Sequence, residues 1–346
     1  MLRFRMGTIL EPLDLHCPRM FDVSSRPATL PQTRRRWHLE TIQLTSTDFR
    51  VDSLFRLVLL LLLVLPAHAE TNPDWTTAVA PFQIADNLYY VGSRDLAAYL
   101  VTTPAGNILI NANLESSPPQ IRASIERLGF HWQDTKILLN GQAHYDHMAG
   151  AAQILRQTHA QDMVMECDAE VVRTGGRKDF SYGTDGILTF PAARVDRVLH
   201  DGDTVTLGGV TLTAHKTAGH TRGCTTWTLP THIHGDSPGP LRNVVIVGGL
   251  TVLSQYRLVD SPRHPASYPG IATDFTQTFA TLRKLPCDIF LGAHGLYFNM
   301  LAKLDRMPKE GEAVWIDPKG YQDAINASET AFQKALQSQQ AALGYH

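Results

Sequence analysis

Gln142-Ala143-His144-Tyr145-Asp146-His147 decides the reading of this chain, because two imidazoles, one carboxylate and one amide crowd into a single turn. Imidazole nitrogen and carboxylate oxygen are zinc donors, and a catalytic zinc site leaves one position open for water. The run before the cluster, Thr135 to Asn140 with Ile137, Leu138 and Leu139, reads as a buried strand, and Met148 to Thr158 reads as a helix. The cluster is thus expected in a loop at a strand's carboxyl end, on the rim of a scaffold. Two further His follow at intervals of about seventy-five residues, each after an apolar run and beside Gly: Gly219-His220-Thr221 and Gly292-Ala293-His294-Gly295.

With these motifs the chain from about Trp75 onward resembles the metallo-β-lactamase superfamily, and within it subclass B3. The stretch Val195 to Gly209, the stretch Gly219 to Trp227 and the loop Gly175 to Gly183 carry the same resemblance. One departure stands in the cluster. The family pattern is His-x-His-x-Asp-His and this chain has Gln142 at its first position, as a minority of subclass B3 enzymes do. The resemblance implies an αβ/βα four-layer sandwich of class α/β, with two mixed sheets inside, helices outside and metal at one edge. It implies a tight zinc at Asp146, His147 and His294, and a second, weaker zinc at Gln142, His144 and His220. A carboxamide oxygen is a poorer zinc ligand than imidazole, which is why the second site is expected to be the weaker. Gln142 has two readings: a ligand, or a hydrogen bonder that never touches metal.

The activity implied is hydrolysis of the amide bond of β-lactams (penicillins, cephalosporins, carbapenems) by a metal-activated water. Asp146 is the catalytic candidate, binding metal and orienting that water, and the neighbouring zinc faces the ring nitrogen as it leaves. Thr251, Ser254 and Tyr256 fall on the segment that resembles the substrate-carboxylate wall, although Gly249 stands where relatives often have a hydroxyl. Thioesterases, lactonases and RNA-processing nucleases share the His cluster and remain the alternatives. Those relatives have a metal-bridging Asp after the strand that follows the second His motif. Here that strand, Asn243 to Val247, runs into Gly248, Gly249 and Leu250, with no carboxylate. Asp236 precedes the strand in a Pro/Gly-rich loop and reads as solvated surface. An alternative of another class is a zinc-binding protein with little catalysis.

Leu57 to Leu65 is continuously apolar and is followed by Pro66 and Ala67-His68-Ala69. That is the pattern of a signal peptide cleaved after Ala69, too short for a span of about twenty residues. The expected divisions are an over-extended upstream segment (1–50), a signal peptide (51–69) and a catalytic domain (70–346), destined for the periplasm or secretion. No Cys follows the cleavage point closely enough to take a lipid anchor, and a monomer acting on a small molecule is expected. The formal net charge is −2, and residues 1–69 hold more Arg than acid, so the remainder is more acidic still. No nucleic-acid footprint is present. Cys167, Cys224 and Cys287 cannot all pair among themselves; Cys224 reads as a packed thiol or half of a disulfide, and Cys287 resembles half of a family disulfide whose C-terminal partner is missing.

The framework is legible from periodicity and turn chemistry. Strands are expected at Leu88 to Gly92, Ala97 to Thr103 and Asn107 to Asn111, the last two joined by a hairpin turn at Pro104-Ala105-Gly106. Ser117 can cap a helix that opens with Pro118 and Pro119, carries Ile121, Ile125 and Leu128 on one stripe and stops at Gly129. Phe275, Phe279 and Leu282 mark another helix, and Tyr321 to Leu343 a long C-terminal one. His131, His159, His200, His215, His264 and His346 read as surface or hydrogen-bonded residues. His232 and His234 read as an adventitious pair, and Arg222 as solvated.

Overall fold

Alternation builds the first sheet. In Tyr99–Thr103 (β3), Gly106–Ile110 (β4), Thr135–Leu139 (β5) and Gln161–Met165 (β6), successive residues point to opposite faces, and both faces are apolar. Tyr99, Val101, Ile108, Ile110, Ile137, Leu139, Met163 and Met165 join one core cluster, whereas Leu100, Leu109, Leu138 and Val164 join the other. A sheet with two apolar faces has to be covered on both sides. Phe82–Ala85 (β1) and Leu88–Tyr90 (β2) extend it at one end and Arg197–Leu199 (β7) closes the other, giving seven strands in sequential order. Pairing is antiparallel from β1 to β4 and parallel from β4 to β7.

A second sheet of five strands has the order Ile289–Gly292 (β12), Arg242–Val247 (β11), Thr225–Thr231 (β10), Val210–Lys216 (β9), Thr204–Leu207 (β8). Only its β11–β12 pair is parallel. Leu212, Ala214, Trp227 and Leu229 share the first core cluster with the inner face of the seven-stranded sheet. Ile121 and Ile125 of helix Pro118–Arg127 (α1), with Ile154 and Leu155, cover the outer face of that sheet. Phe275 and Phe279 of helix Ile271–Lys284 and Phe332 of helix Pro318–Ala342 stack together in the first cluster on the other side. Two mixed sheets lie between helices, as expected. The structure, a computed structural model, describes residues 72–183, 186, 188–233 and 239–344. The upstream segment, the signal peptide with its cleavage point, His234, Asp236 and His346 lie outside them. Among the described residues no helix is long and apolar enough to cross a membrane.

Two expectations are corrected. The helix expected from Met148 is two helices, Tyr145–Met148 (α2) and Ala151–Thr158 (α3), because the chain passes so close to Ala112 at Gly150 that a Cβ there would lie 2.3 Å from the Ala112 carbonyl oxygen. Ser117 precedes α1 but makes no capping bond with its side chain. Cys224 is a buried free thiol, the first of its two readings, and Cys287, whose C-terminal partner is missing, is a half-buried free thiol.

Asp162 on β6 is fully buried, and neither carboxylate oxygen has a hydrogen-bond partner. Burial, then the adjacent Asp196, push its carboxyl up to about 8 against the pull of Arg194. The folded state therefore holds a proton that the unfolded state releases near pH 4, and stability falls as pH rises between about 4 and 8. Asp162→Asn removes that dependence. Its stability relative to the parent should grow by about 1–3 kcal/mol from pH 5 to pH 8, read by urea unfolding of both proteins; a difference that stays constant with pH contradicts this.

Candidate metal centre

Two residues, Asn140 and Gly141, separate the end of β5 at Leu139 from the six-residue cluster. Asn140 is held by Trp227, whose indole N–H donates to its carbonyl at 2.8 Å, and the Gly141 N–H donates to the Asn111 side chain at 2.9 Å. Gly141 and Gly248 bring the ends of the two sheets into backbone contact: a Cβ on Gly141 would come within 2.9 Å of the Gly248 Cα, and one on Gly248 within 2.3 Å of the Gly141 oxygen. The cluster is not wholly a loop. Gln142 and His144 precede α2, whereas Asp146 and His147 lie on its first turn.

Asp146, His147 and His294 form one corner, with one donor atom of each lying within 4.8 Å of the others. The Asp146 Oδ2 is 3.3 Å from His147 Nε2 and 3.5 Å from His294 Nε2. Burial pushes the Asp146 carboxyl up, but His147 and His294 outweigh it and hold the group well below the usual carboxylate range. His294 Nδ1 meets Asp95 Oδ2 at 2.9 Å, which fixes its tautomer and turns Nε2 to the corner. Asp95 is fixed in turn by the Trp75 indole N–H at 3.0 Å and the Leu296 N–H at 3.1 Å. Burial lowers the pKa of His294, yet Asp146 and Asp95 raise it to about 9, so a metal here has to displace a proton.

His144 and His220 form the second corner, their ring centroids 4.8 Å apart. His220 Nδ1 donates to the Thr251 carbonyl at 2.7 Å, leaving Nε2 as the lone-pair nitrogen. Asp179 Oδ2, from the loop flanking the site, lies 3.6 Å from His144 Nε2. Burial holds both rings neutral, His144 at about 4 and His220 at about 3. The Gln142 amide nitrogen donates to the Gly248 carbonyl at 3.1 Å, while its Oε1 is buried without a partner. His144 Nε2 and both ring nitrogens of His147 are likewise buried without a hydrogen-bond partner, their nearest carboxylates being Asp179 at 3.6 Å and Asp146 at 3.3 Å. A buried polar atom without a partner costs about 1–3 kcal/mol, so this concentration of orphaned lone pairs beside a buried carboxylate fits a cation. The donor set, nitrogen and oxygen, fits zinc.

One carboxylate ties the two corners together. Asp168 accepts the Ala143 N–H at 3.0 Å, the Thr221 hydroxyl at 2.7 Å and the Gly223 N–H at 2.7 Å, and so links the segment holding Gln142 and His144 to the one holding His220. Gly249 is required by the same crowding, since a Cβ there would lie 2.7 Å from the His220 ring. Neither Gly248 nor Gly249 leaves room for a bridging carboxylate.

Both corners open into a cleft of about 380 Å³. Thr251 lines it; Ser254 is exposed and is not part of its lining. Tyr256 corrects the reading of a substrate wall: it is buried, and its hydroxyl donates to the His220 carbonyl at 2.6 Å from behind the site. Arg222 lies over the Tyr268 ring at 5.4 Å. Cys224 is not turned to the metal corner; its thiol donates to the Gly249 carbonyl at 3.8 Å and burial pushes its pKa up to about 12. His200 meets Glu166 and His215 meets Thr228, both away from the cleft. Trp75, Asp95, Asp168 and Tyr297 serve the site without any local sequence signal, whereas Asp179 falls in the loop Gly175 to Gly183 that carried the resemblance.

Residues 94–294 match the family model described as the metallo-β-lactamase superfamily. Among solved structures, the native FEZ-1 metallo-β-lactamase from Legionella gormanii is 45% identical, with a TM-score of 0.73 over 76% of this chain and 98% of that one. BJP-1, a subclass B3 metallo-β-lactamase of Bradyrhizobium japonicum, is 35% identical, with a TM-score of 0.71 over 78% and 98%. The class B3 di-zinc metallo-β-lactamase LRA-12 from an Alaskan soil metagenome is 36% identical, with a TM-score of 0.70 over 77% and 97%.

Proposed function

Because this chain belongs to the metallo-β-lactamase superfamily, and solved relatives similar to it are class B3 enzymes, we propose that it is a zinc-dependent hydrolase of penicillins, cephalosporins and carbapenems. The observation that carries the reading is the set of His144, His147 and Gln142 donor atoms buried without hydrogen-bond partners in the segment that holds the buried Asp146 carboxylate, with Asp146, His147 and His294 brought together. Asp146, His147 and His294 hold one zinc tightly; Gln142, His144 and His220 hold a second more weakly. Gln142 is a ligand in this reading because its amide nitrogen is already engaged by Gly248, leaving the carbonyl oxygen as the free donor. When bound, zinc lowers the pKa of a water to about 7 and acts as an electrophile toward carbonyl oxygen and departing nitrogen.

The chain's own residues do the positioning. Asp146 remains ionised, so it can accept a hydrogen bond from the attacking water and orient it along one line of approach. Asp95 keeps His294, and the Thr251 carbonyl keeps His220, in the one tautomer that presents Nε2. Such fixed partners spare reorganisation during reaction. Crowding at Gly248 and Gly249 supports the β-lactam reading over the lactone and thioester alternatives, whose relatives use a bridging carboxylate at this point. Export after cleavage at Ala69 and a monomeric state belong to the same proposal. Turnover of the three β-lactam classes, set against a lactone and a thioester, tests it.

A further inference from the structure

We propose that Asp179, on the loop flanking the cleft, is a positioning residue for the weaker zinc corner: its carboxylate orients the His144 ring through Nε2 and supplies the negative charge that Gln142, His144 and His220 lack. The inference rests on the two-zinc reading and names what sustains its weaker half.

His294 and His220 each have one ring nitrogen held by an oxygen, that of Asp95 at 2.9 Å and that of the Thr251 carbonyl at 2.7 Å. In the same place His144 has Asp179, whose Oδ2 lies 3.6 Å from Nε2, just beyond a hydrogen bond. Both side chains are buried. Asp179 is not placed as a ligand. Among the described residues only Asp146, His147 and His294 gather three such donor atoms within 4.8 Å, so Asp179, His144 and His220 do not converge on one point. The carboxylate divides its two oxygens between two tasks. Oδ1 accepts the Ser181 N–H at 2.8 Å and the Tyr182 N–H at 2.7 Å and so folds its own loop, while Oδ2 is turned to His144. The Tyr182 ring joins loop and corner again, meeting the His144 ring edge-on at 5.2 Å.

A neutral imidazole carries one proton, and a carboxylate beside Nε2 draws it there, which leaves Nδ1 as the lone-pair nitrogen for zinc. Coordination through Nδ1 makes the Nε2–H a stronger donor and favours closing the gap to Asp179 into a charge-assisted bond. Charge supplies the second reason. The first corner has Asp146 among its ligands, whereas Gln142 is neutral and burial holds His144 and His220 neutral, and a buried cation without an anion beside it is costly. Asp179 is the carboxylate of this corner.

Asp179→Asn removes the charge and keeps one oxygen for the Ser181 and Tyr182 amides. In competition with a chromophoric chelator, its second zinc equivalent should bind about 10–100-fold more weakly than the parent's and its first within about twofold, with amide hydrogen exchange at Ser181 and Tyr182 as in the parent. In the zinc-loaded parent, nitrogen NMR of the ring should show His144 protonated at Nε2, a result that does not depend on how the variant folds. Second-zinc affinity equal to the parent's, equal weakening of both equivalents, or a His144 protonated at Nδ1 overturns the proposal. A parent that takes up no second zinc overturns the two-zinc reading and this proposal with it.

Discussion

Asp146→Asn is expected to lower kcat/KM for every β-lactam by about 10³-fold, with the protein folded and its tight zinc lost or loosened. The substitution conserves shape, so the α2 turn should stand. What disappears is the negative charge that lies 3.3 Å from His147 Nε2 and 3.5 Å from His294 Nε2 and offsets the cost of burying a cation there. A neutral amide oxygen is also the poorer ligand. Zinc content after dialysis should fall together with turnover. A variant that keeps both its zinc and more than about a tenth of parental kcat/KM would remove Asp146 from the role assigned to it.

The second large effect is on stability. Asp168→Ala leaves two backbone N–H groups and one hydroxyl without their acceptor in a buried place. The expected cost is about 3–5 kcal/mol, read as a fall in the midpoint of thermal unfolding. Because the carboxylate links the Ala143 and Thr221 segments, the loss should reach the Gln142/His144/His220 corner first, and zinc should leave it at lower chelator concentration than in the parent. Asp168→Asn, which keeps one acceptor oxygen, should fall between. An Ala variant with parental unfolding and parental zinc retention contradicts the clamp.

Ligand-capable residues were legible where the chain itself groups them. Gln142 to His147 are contiguous, and His220 and His294 stand beside glycines at the ends of apolar runs, so local pattern sufficed to nominate them. The partners that orient these residues were not legible, because only folding brings them near. Asp95 is 199 residues from His294 in sequence, and Asp168 is 53 from Thr221. Tyr256 was misread for a related reason: a tyrosine in a polar segment beside a site looks like a wall residue until its hydroxyl is seen turned inward to the His220 carbonyl. The sheets were the easier part, since alternating or continuous apolar runs report their faces directly. The break between α2 and α3 was hidden, because Gly150 is demanded by a neighbour in the loop after β4, the Ala112 carbonyl, and not by anything in its own helix.

The measurement that bears most directly on the account is ring opening of a penicillin, a cephalosporin and a carbapenem by the purified protein, before chelation, after chelation and after zinc is restored. The account predicts turnover that chelation abolishes and zinc returns. Folded, zinc-loaded protein that opens none of the three rings would contradict it.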